Sequence, residues 1–396
     1  MAELTKQLSE LASKGPAGLE EADRIALLHA SYKLSDALEN PIEKFIRLFF
    51  TIYDPIVLRL CVDLDLVDIA LAHGGPISLS EFAEKSKTDP DLLQRILRVL
   101  VPLGIFTEPS AGTYGTTPFA PVFASPSPFK STITHISHLY HSVASMPEYF
   151  AQNGYQNPKD AYDAPFQLAH NCKGETYFDY IARPGNERLS KAFNVTMEMQ
   201  KTKAEESFVP VYPAEERLKN DDPERVLLVD VGGGVGHQVS RFKERYPQLP
   251  GKLVLEDLPQ VVDTAVDLPK SITKIGHDFF KPQPDYVEGA KAFFLRMILH
   301  DWPEKQARLI LSNIVDIMAD DSVVLIHEVL LPETGVSHFE AKMDWHMLNM
   351  GACERTEKQW AALADSVGLE IKAIWMEGTE GAALGSRGMI ELGKRA

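Results

Sequence analysis

Cysteine is scarce in this sequence: Cys61, Cys172 and Cys353 are the whole complement. They are odd in number, scattered and in no metal-ligand spacing, which argues against a disulfide framework and against a zinc site. Basic tracts are missing too. The chain has 40 Lys and Arg against 56 Asp and Glu, a formal charge of −16. Such a balance leaves no electrostatic footprint for nucleic acid. No apolar run approaches the ~20 residues that a membrane-spanning helix needs, so no membrane partner is expected. Residues 1–15 are amphipathic and polar, with neither the apolar core of a secretory signal nor the Arg-rich character of a transit peptide. A cytoplasmic location is therefore the default expectation.

What is present describes a folded chain in two unlike halves. Its 396 residues, 44% hydrophobic and 24% charged, suit two or perhaps three domains with sizeable cores. Residues 25–193 are mostly helical in pattern. The stretch 55–71 carries apolar residues at helical spacing until Gly74, Gly75 and Pro76 interrupt it. Ser80 precedes a second helix start, and Asp89-Pro90-Asp91 opens a third that runs to Gly104. Two short β-like runs follow around a Ser-Ala-Gly turn at 110–112. Three helices and a hairpin in this order predict a winged-helix module. Its candidate recognition helix, 91–103, offers only Arg95 and Arg98 as cations. It reads as a packing helix, not a groove reader, and dimerisation or a lid role is the expected use. Residues 127–193 are rich in aromatics and in histidines (His135, His138, His141), candidates to line a substrate pocket. A metal face would need an acid or cysteine in register, and none is there.

A polar, proline-spaced connector at 210–223 leads to α/β alternation. Strand-like runs at 226–231, 252–257, 291–297 and 322–329 alternate with helical stretches at 237–247, 259–268 and 303–319. That alternation predicts a doubly wound, mostly parallel sheet of Rossmann-like type. The domains are expected at 1–195, helical with a winged-helix dimerisation and substrate-lid role, and at 196–396, binding a cofactor.

The sharpest motif is VLLVDVGGGVG at 226–236. A buried strand runs to Asp230, then into a turn with Gly232, Gly233 and Gly234, then into a helix. Glycines admit a ligand close to the backbone, and the helix start offers free N–H donors. The spacing fails G-x-G-x-x-G, since the third position is His237. An acid beside the turn suits the positive charges of S-adenosyl-L-methionine better than a pyrophosphate. About twenty residues on, a strand ends in Glu256-Asp257, where α/β nucleoside sites hold an acid for the ribose hydroxyls. The alternative is a helix cap ahead of Leu258-Pro259. Asp278 and Phe279, at another strand end, can bracket an adenine. His300 follows the strand 291–297, at the sheet edge where ligands bind in such folds, and its ordinary pKa of about 6.5 suits a general base. Glu328 and Glu354 are candidate acceptors for its second ring nitrogen.

Taken together, LVDVGGGVG, LEDLP, GHDFF, LRMILHDWPE, HEVLLPE and ERTEKQWAALADSVGL resemble the plant and fungal caffeate-type O-methyltransferases: class I, cation-independent enzymes that use S-adenosyl-L-methionine. The likeness extends to the N-terminal half, through the winged-helix order and the run at 193–197, and is most like the fungal secondary-metabolism branch. It implies that Asp230 and Gly232 to Gly234 hold the methionine moiety. Asp257 takes the ribose, with Leu258 near the nucleoside, and Asp278 and Phe279 flank the adenine. Arg296 stands near the cofactor. His300 is the base, flanked by Glu328 and Glu354. Phe193 and Met197, with His135, line the acceptor pocket, and the chain forms a homodimer. Residues 343–353 align loosely, which leaves the acceptor-facing side chains there open.

The resemblance implies methyl transfer to a small, aromatic hydroxyl acceptor. One rival is a non-methylating enzyme, a dehydratase or pericyclase, in which the sulfonium serves as a fixed positive charge and Arg296 and the His135 region bind a substrate carbonyl. A second rival, a binding protein without activity, would need the loss of a chemical group, and none is missing.

Overall fold

The computed structural model describes residues 2–15, 18–199, 209, 211–377 and 387–395. Pro210, first residue of the expected connector, lies outside them. The chain divides into two compact units, Met1–Ile133 and Thr134–Ala396. The sequence boundary stood at 195/196. Residues 134–199 pack instead within the second unit: Phe178 meets Trp302 at 5.6 Å, and the backbone carbonyl of Ala161 and the side chain of Asp160 tie helix and loop to Gln167, Gln306 and Lys305.

In the first unit, helices Tyr53–Asp63, Leu66–His73, Leu79–Ser86 and Pro90–Leu100 surround a core of Leu66, Phe82, Leu93, Leu97 and Phe106. The apolar stretch 55–71 is two helices, because Asp65 turns the chain with φ of 51°. Ser78 caps the third helix, two residues before the expected start, and Asp89 caps the fourth, with Pro90 at its first position. Strands β1 (Ile77–Ser78), β2 (Phe106–Ser110) and β3 (Thr113–Thr116) form a small sheet in the order β1-β3-β2, which completes the winged-helix pattern. Ahead of it, helix Pro41–Phe50 opens with a capping box between Asn40 and Glu43. Phe45, Leu48, Phe49 and Phe50 on it are each 58–63% exposed within this chain.

Among the described residues, the second unit is built on eight strands: β4 (Val226–Val231), β5 (Lys252–Asp257), β6 (Ile272–Gly276), β7 (Ala292–Arg296), β8 (Val323–Leu331), β9 (Arg355–Thr356), β10 (Leu369–Met376) and β11 (Arg387–Lys394). The order is β10-β11-β8-β7-β4-β5-β6, with short β9 beside β8. β4 to β8 are parallel; β11 runs antiparallel to β8 and β10. β4, β5, β7 and β8 are mostly buried and apolar on both faces, as strands covered on both sides require, whereas the edge strand β6 exposes Lys274. Val229, Phe293, Leu295 and Ile326 join one core with Ile310 and Trp360. Leu228, Leu255, Phe294 and Leu325 join the other with Val239 and Phe242. β4 has its successor β5 on one side and β7 on the other. The chain order reverses there, and ligands bind outside the carboxyl ends of strands at such a point.

Candidate active site

Because β4, β5, β7 and β8 are parallel, the residues at their carboxyl ends gather on one edge. The turn after β4 is shaped by its glycines. Gly232 and Gly234 have φ of 70° and 63°, a region that other residues rarely enter. A Cβ on Gly232 would stand 2.6 Å from Ile298 Cδ1, whereas at Gly234 the space is open. The N–H groups of Gly232 and Gly233 donate to the Glu256 carbonyl at 2.8 and 3.0 Å, fastening the turn to β5. Asp230, near the carboxyl end of β4, is 1% exposed and accepts from the Val239 N–H at 3.2 Å. It anchors the helix His237–Arg245 from beneath, and burial pushes its carboxyl up to about 7. Asp257 stands beside the open side of the turn, accepting from the N–H groups of Gly234 (2.8 Å) and Leu258 (2.7 Å). Burial raises its pKa despite those donors. Leu258 is 41% exposed.

Asp278 accepts from the Phe280 N–H at 3.0 Å, which fixes the loop after β6. Phe279 packs between Phe280 and Trp302, at 4.9 and 6.1 Å. Arg296 and His327 are opposed in the β7–β8 register. They share the sheet face of Leu325, while Glu328 shares the other face with Ile326, so the strand pleat separates Arg296 from the His300 group.

His300 is the centre of the second cluster. β7 ends in a turn where Met297 takes φ of 52°, a strained value for such a residue. One Glu328 oxygen holds that turn, accepting from the N–H groups of Ile298 and Leu299 at 2.9 and 3.0 Å. The other Glu328 oxygen lies 3.9 Å from His300 Nδ1. Glu354 takes the direct bond to Nδ1, at 2.9 Å. Its own backbone N–H donates to Asp344, and the neighbouring Cys353 N–H donates to the His300 carbonyl. Asp301 lies 3.6 Å from Nε2. Burial alone would lower the imidazole's pKa; the carboxylates of Glu328, Asp301 and Glu354 outweigh it and hold it up at about 10. Burial raises Glu328 to about 7 and Asp301 to about 6.

A small cavity beside Asp301, of about 10 Å³, is lined by Tyr177, Phe178, Trp302 and Met350 among others. The Tyr177 hydroxyl and His135 Nδ1 are 3.0 Å apart, and Phe193 packs edge-on to the His135 ring at 5.3 Å. The expected pocket residues His135 and Phe193 thus join this aromatic group. Met197 is part-buried on the same helix as Phe193, Glu187–Met199. Sequence reasoning named Tyr177 among the aromatics of 127–193 but did not single out Asp301, Asp344, Trp302 or His346. Asp301 is adjacent to His300 in a motif already quoted; Asp344 and His346 lie in the loosely aligned stretch.

The family profile of an O-methyltransferase domain matches residues 163–370, and that of an O-methyltransferase dimerisation domain matches residues 46–126. The chain belongs to the O-methyltransferase family. It is 32% identical over 388 residues to methyltransferase cfoC of Aspergillus candidus, covering 95% of this chain and 92% of that protein. To demethylsterigmatocystin 6-O-methyltransferase of Aspergillus flavus it is 32% identical over 315 residues, 79% of each chain. Among solved structures, LepI in complex with SAM, and a structure described as a pericyclic reaction enzyme, each superpose with a TM-score of 0.81 at 28% identity over 100% of both chains. Among the described residues, no helix is long and apolar enough to cross a membrane.

The cluster's pKa values make one thermodynamic statement. Asp230, Glu256, Asp301 and Glu328 are raised chiefly by burial, and His300 by its carboxylates against burial. All five bind protons more tightly folded than unfolded. Their contribution to stability is complete below the unfolded pKa values and is lost as pH rises through the folded ones. Below about pH 7 the lowered histidines His135, His170, His277, His327 and His346 work the other way, so the Tm of the ligand-free protein is expected to fall between about pH 7 and pH 9. A Tm that is flat or rising over that range in thermal melts would contradict these assignments.

Proposed function

We propose that the protein is an S-adenosyl-L-methionine-dependent O-methyltransferase acting on a small aromatic hydroxyl acceptor in natural-product biosynthesis, with His300 as general base. The observation that carries this reading is the commitment of His300 Nδ1 to Glu354 at 2.9 Å. It leaves Nε2 on the side of Asp301 and its aromatic cavity. The cofactor suits the residues present: Asp257 is an acceptor for ribose hydroxyls beside the open space at Gly234. Phe279 and Asp278 follow β6 for the adenine, Gly232 to Gly234 follow β4 for the methionine part, and Arg296 ends β7 near the cofactor. LepI was solved with SAM and OxaC with sinefungin, which supports the same cofactor here. When bound, S-adenosyl-L-methionine supplies an electrophilic methyl group and a positive charge. The protein's part is to hold the acceptor oxygen in line and to take its proton. A phenol, pKa about 10, needs that help at neutral pH.

An imidazole held at about 10 is protonated in the ligand-free site. As a base it must first lose that proton, and a cation bound nearby favours this loss, because like charges disfavour imidazolium. Glu328 or Glu354, each with one buried oxygen lacking a hydrogen-bond partner, can then steady the charge that returns during transfer. The second reading is a non-methylating enzyme using the sulfonium as an electrostatic catalyst. Two observations favour it: the likeness to the pericyclic reaction enzyme, and a His300 held as a proton donor. The family's dimerisation domain and the exposed aromatic helix Pro41–Phe50 support a homodimer.

Two measurements test these readings. With the true substrate, methyl transfer yields one S-adenosylhomocysteine per product. His300→Ala lowers turnover by about 10²–10⁴, with recovery at high pH where the phenol ionises unaided. Product formed without S-adenosylhomocysteine would overturn the methyltransferase reading in favour of the second. Light scattering at micromolar concentration should give twice the 44.1 kDa of one chain; a monomer would refute the homodimer.

A further inference from the structure

The last two residues of β5 tie together the segments proposed for the cofactor. The glycine turn is fastened to the Glu256 carbonyl, and to the Asp257 carboxylate through the Gly234 N–H. The loop that carries Asp278 and Phe279 starts where the His277 N–H donates to the Asp257 carbonyl, at 2.8 Å. Further along that loop stands Gln283, 5% exposed. With both ends of its amide turned to suit their surroundings, its N–H groups donate to the two Glu256 carboxyl oxygens at 3.0 and 3.3 Å. The carbonyl links belong to the backbone, and any residue supplies them. The link from Gln283 needs the Glu256 side chain.

That side chain is 1% exposed. By strand alternation it lies on the sheet face of Val254, between Val231 of β4 and Ile275 of β6 in the register. Asp230 and Asp257 belong to the opposite face, that of Leu228 and Leu255. On the loop, the titratable groups are His277, Asp278 and Lys281, and Asp278 is engaged by the Phe280 N–H. From the helix Glu304–Val315, packed on this face, uncharged Asn313 reaches the Phe279 carbonyl at 2.9 Å. The charged residues Glu304, Lys305 and Arg308 of that helix bond to Arg355, Asp160 and Ser366. The His300 group follows β7, two strands away from β5. No charge among these offsets the burial of Glu256, which pushes its carboxyl up to about 8. A carboxylate sealed without a cation is costly, so the group is an uncharged acid at neutral pH.

We propose that the Glu256 side chain is a positioning group for the cofactor: bonded to Gln283, it holds the loop of Asp278 and Phe279 against the strand end that carries the glycine turn and Asp257. Without that bond the loop keeps its start at His277 and loses its hold at Gln283, so the adenine side of the site loosens. Ionisation of Glu256 acts in the same direction, because the charge draws water into a dry contact between strand and loop. Cofactor binding and retention of the Glu256 proton therefore favour each other. The proposal rests on the cofactor lying at this edge, as in the function proposed above.

The test is the affinity of the full-length protein for S-adenosylhomocysteine, read by calorimetry from about pH 7 to about pH 9.5, with thermal melts to show that each variant is folded. At pH 7, Glu256→Leu and Gln283→Leu should each weaken binding at least ~5-fold, and the double variant should be about as weak as the weaker single one. Glu256→Gln keeps the shape and hydrogen-bonding groups of the neutral acid and should restore most of what Glu256→Leu loses. Over the pH range the unaltered protein should lose at least ~10-fold more affinity than Glu256→Gln, since the ligand's amine and the other groups of the site titrate alike in both. Undiminished binding by Glu256→Leu, losses that add in the double variant, or an alkaline fall that Glu256→Gln shares in full would each overturn the proposal. If Glu256→Leu does not fold, the pH comparison with Glu256→Gln decides. Asp257→Ala separates this proposal from the one beneath it. Undiminished binding there refutes the cofactor's placement, whereas a loss there with none in the Glu256 variants overturns the role of Glu256 alone.

Discussion

An imidazole buried among three carboxylates is the constraint on which the site depends. Sealing His300 from water in this company is costly unless every group has a partner. The surrounding chain supplies partners to the ring and to one oxygen of each glutamate, and leaves Glu328 Oε2 and Glu354 Oε2 without a hydrogen bond. Glu354 reaches Nδ1 because β9 pairs with the end of β8, and Asp344 fixes the Glu354 backbone. Glu328 holds two N–H groups of the strained turn that carries His300 out of β7. Arg355, wholly buried, gathers the carbonyls of Leu299 and Trp302 and stacks on Trp360 at 5.0 Å. Three segments distant in sequence therefore meet at one ring: the turn after β7, the end of β8 and the residues at β9. The two glutamates do different work: Glu354 bonds to the ring itself, whereas Glu328 bonds to the backbone that carries the ring.

The sheet keeps this cluster apart from the residues proposed for the cofactor while holding both on one edge. Pleating sends Glu328 to the core with Ile326 and His327 to the opposite face, opposed to Arg296. The glycine turn, Asp257 and Phe279 lie around the switch point at β4. Ile298 links the two groups. Its side chain fills the space that a Cβ on Gly232 would need, and its N–H is held by Glu328. A change in the glycine turn is thus felt at the turn that carries His300.

Much of this was legible in the sequence because the signals are local. The strand ending at Asp230, the glycine turn, the strand ending at Asp257 and the loop with His300 each carry their pattern within a dozen residues. Other features depend on distant partners. The stretch 259–268 reads as a helix, yet only Pro259–Val262 is one. The chain then leaves the helix so that Leu268 can occupy the space beneath Gly236, while Lys274 takes the carbonyls of Val262 and Ala265. β10 and β11 were not read as strands. They form an antiparallel edge, and Glu391 is buried in β11 only because Tyr212 and Arg217 reach it from the connector. The break at Asp65 has neither glycine nor proline to announce it. Asp230 reads as a ligand group from its place beside the turn; its burial follows from the helix above it. Asp344 acts on His300 through Glu354, ten residues away, a relation that no local pattern carries.

The account stands on the proton that the carboxylates keep on His300. NMR of protein labelled at histidine ring carbons, with His300 assigned by its absence in His300→Ala, reads that proton directly. In the ligand-free protein the His300 ring should stay protonated well above its ordinary value of about 6.5, and Glu354→Gln should bring its titration down toward that value. A ring that titrates near 6.5 in the unaltered protein, and is unmoved by Glu354→Gln, would contradict it.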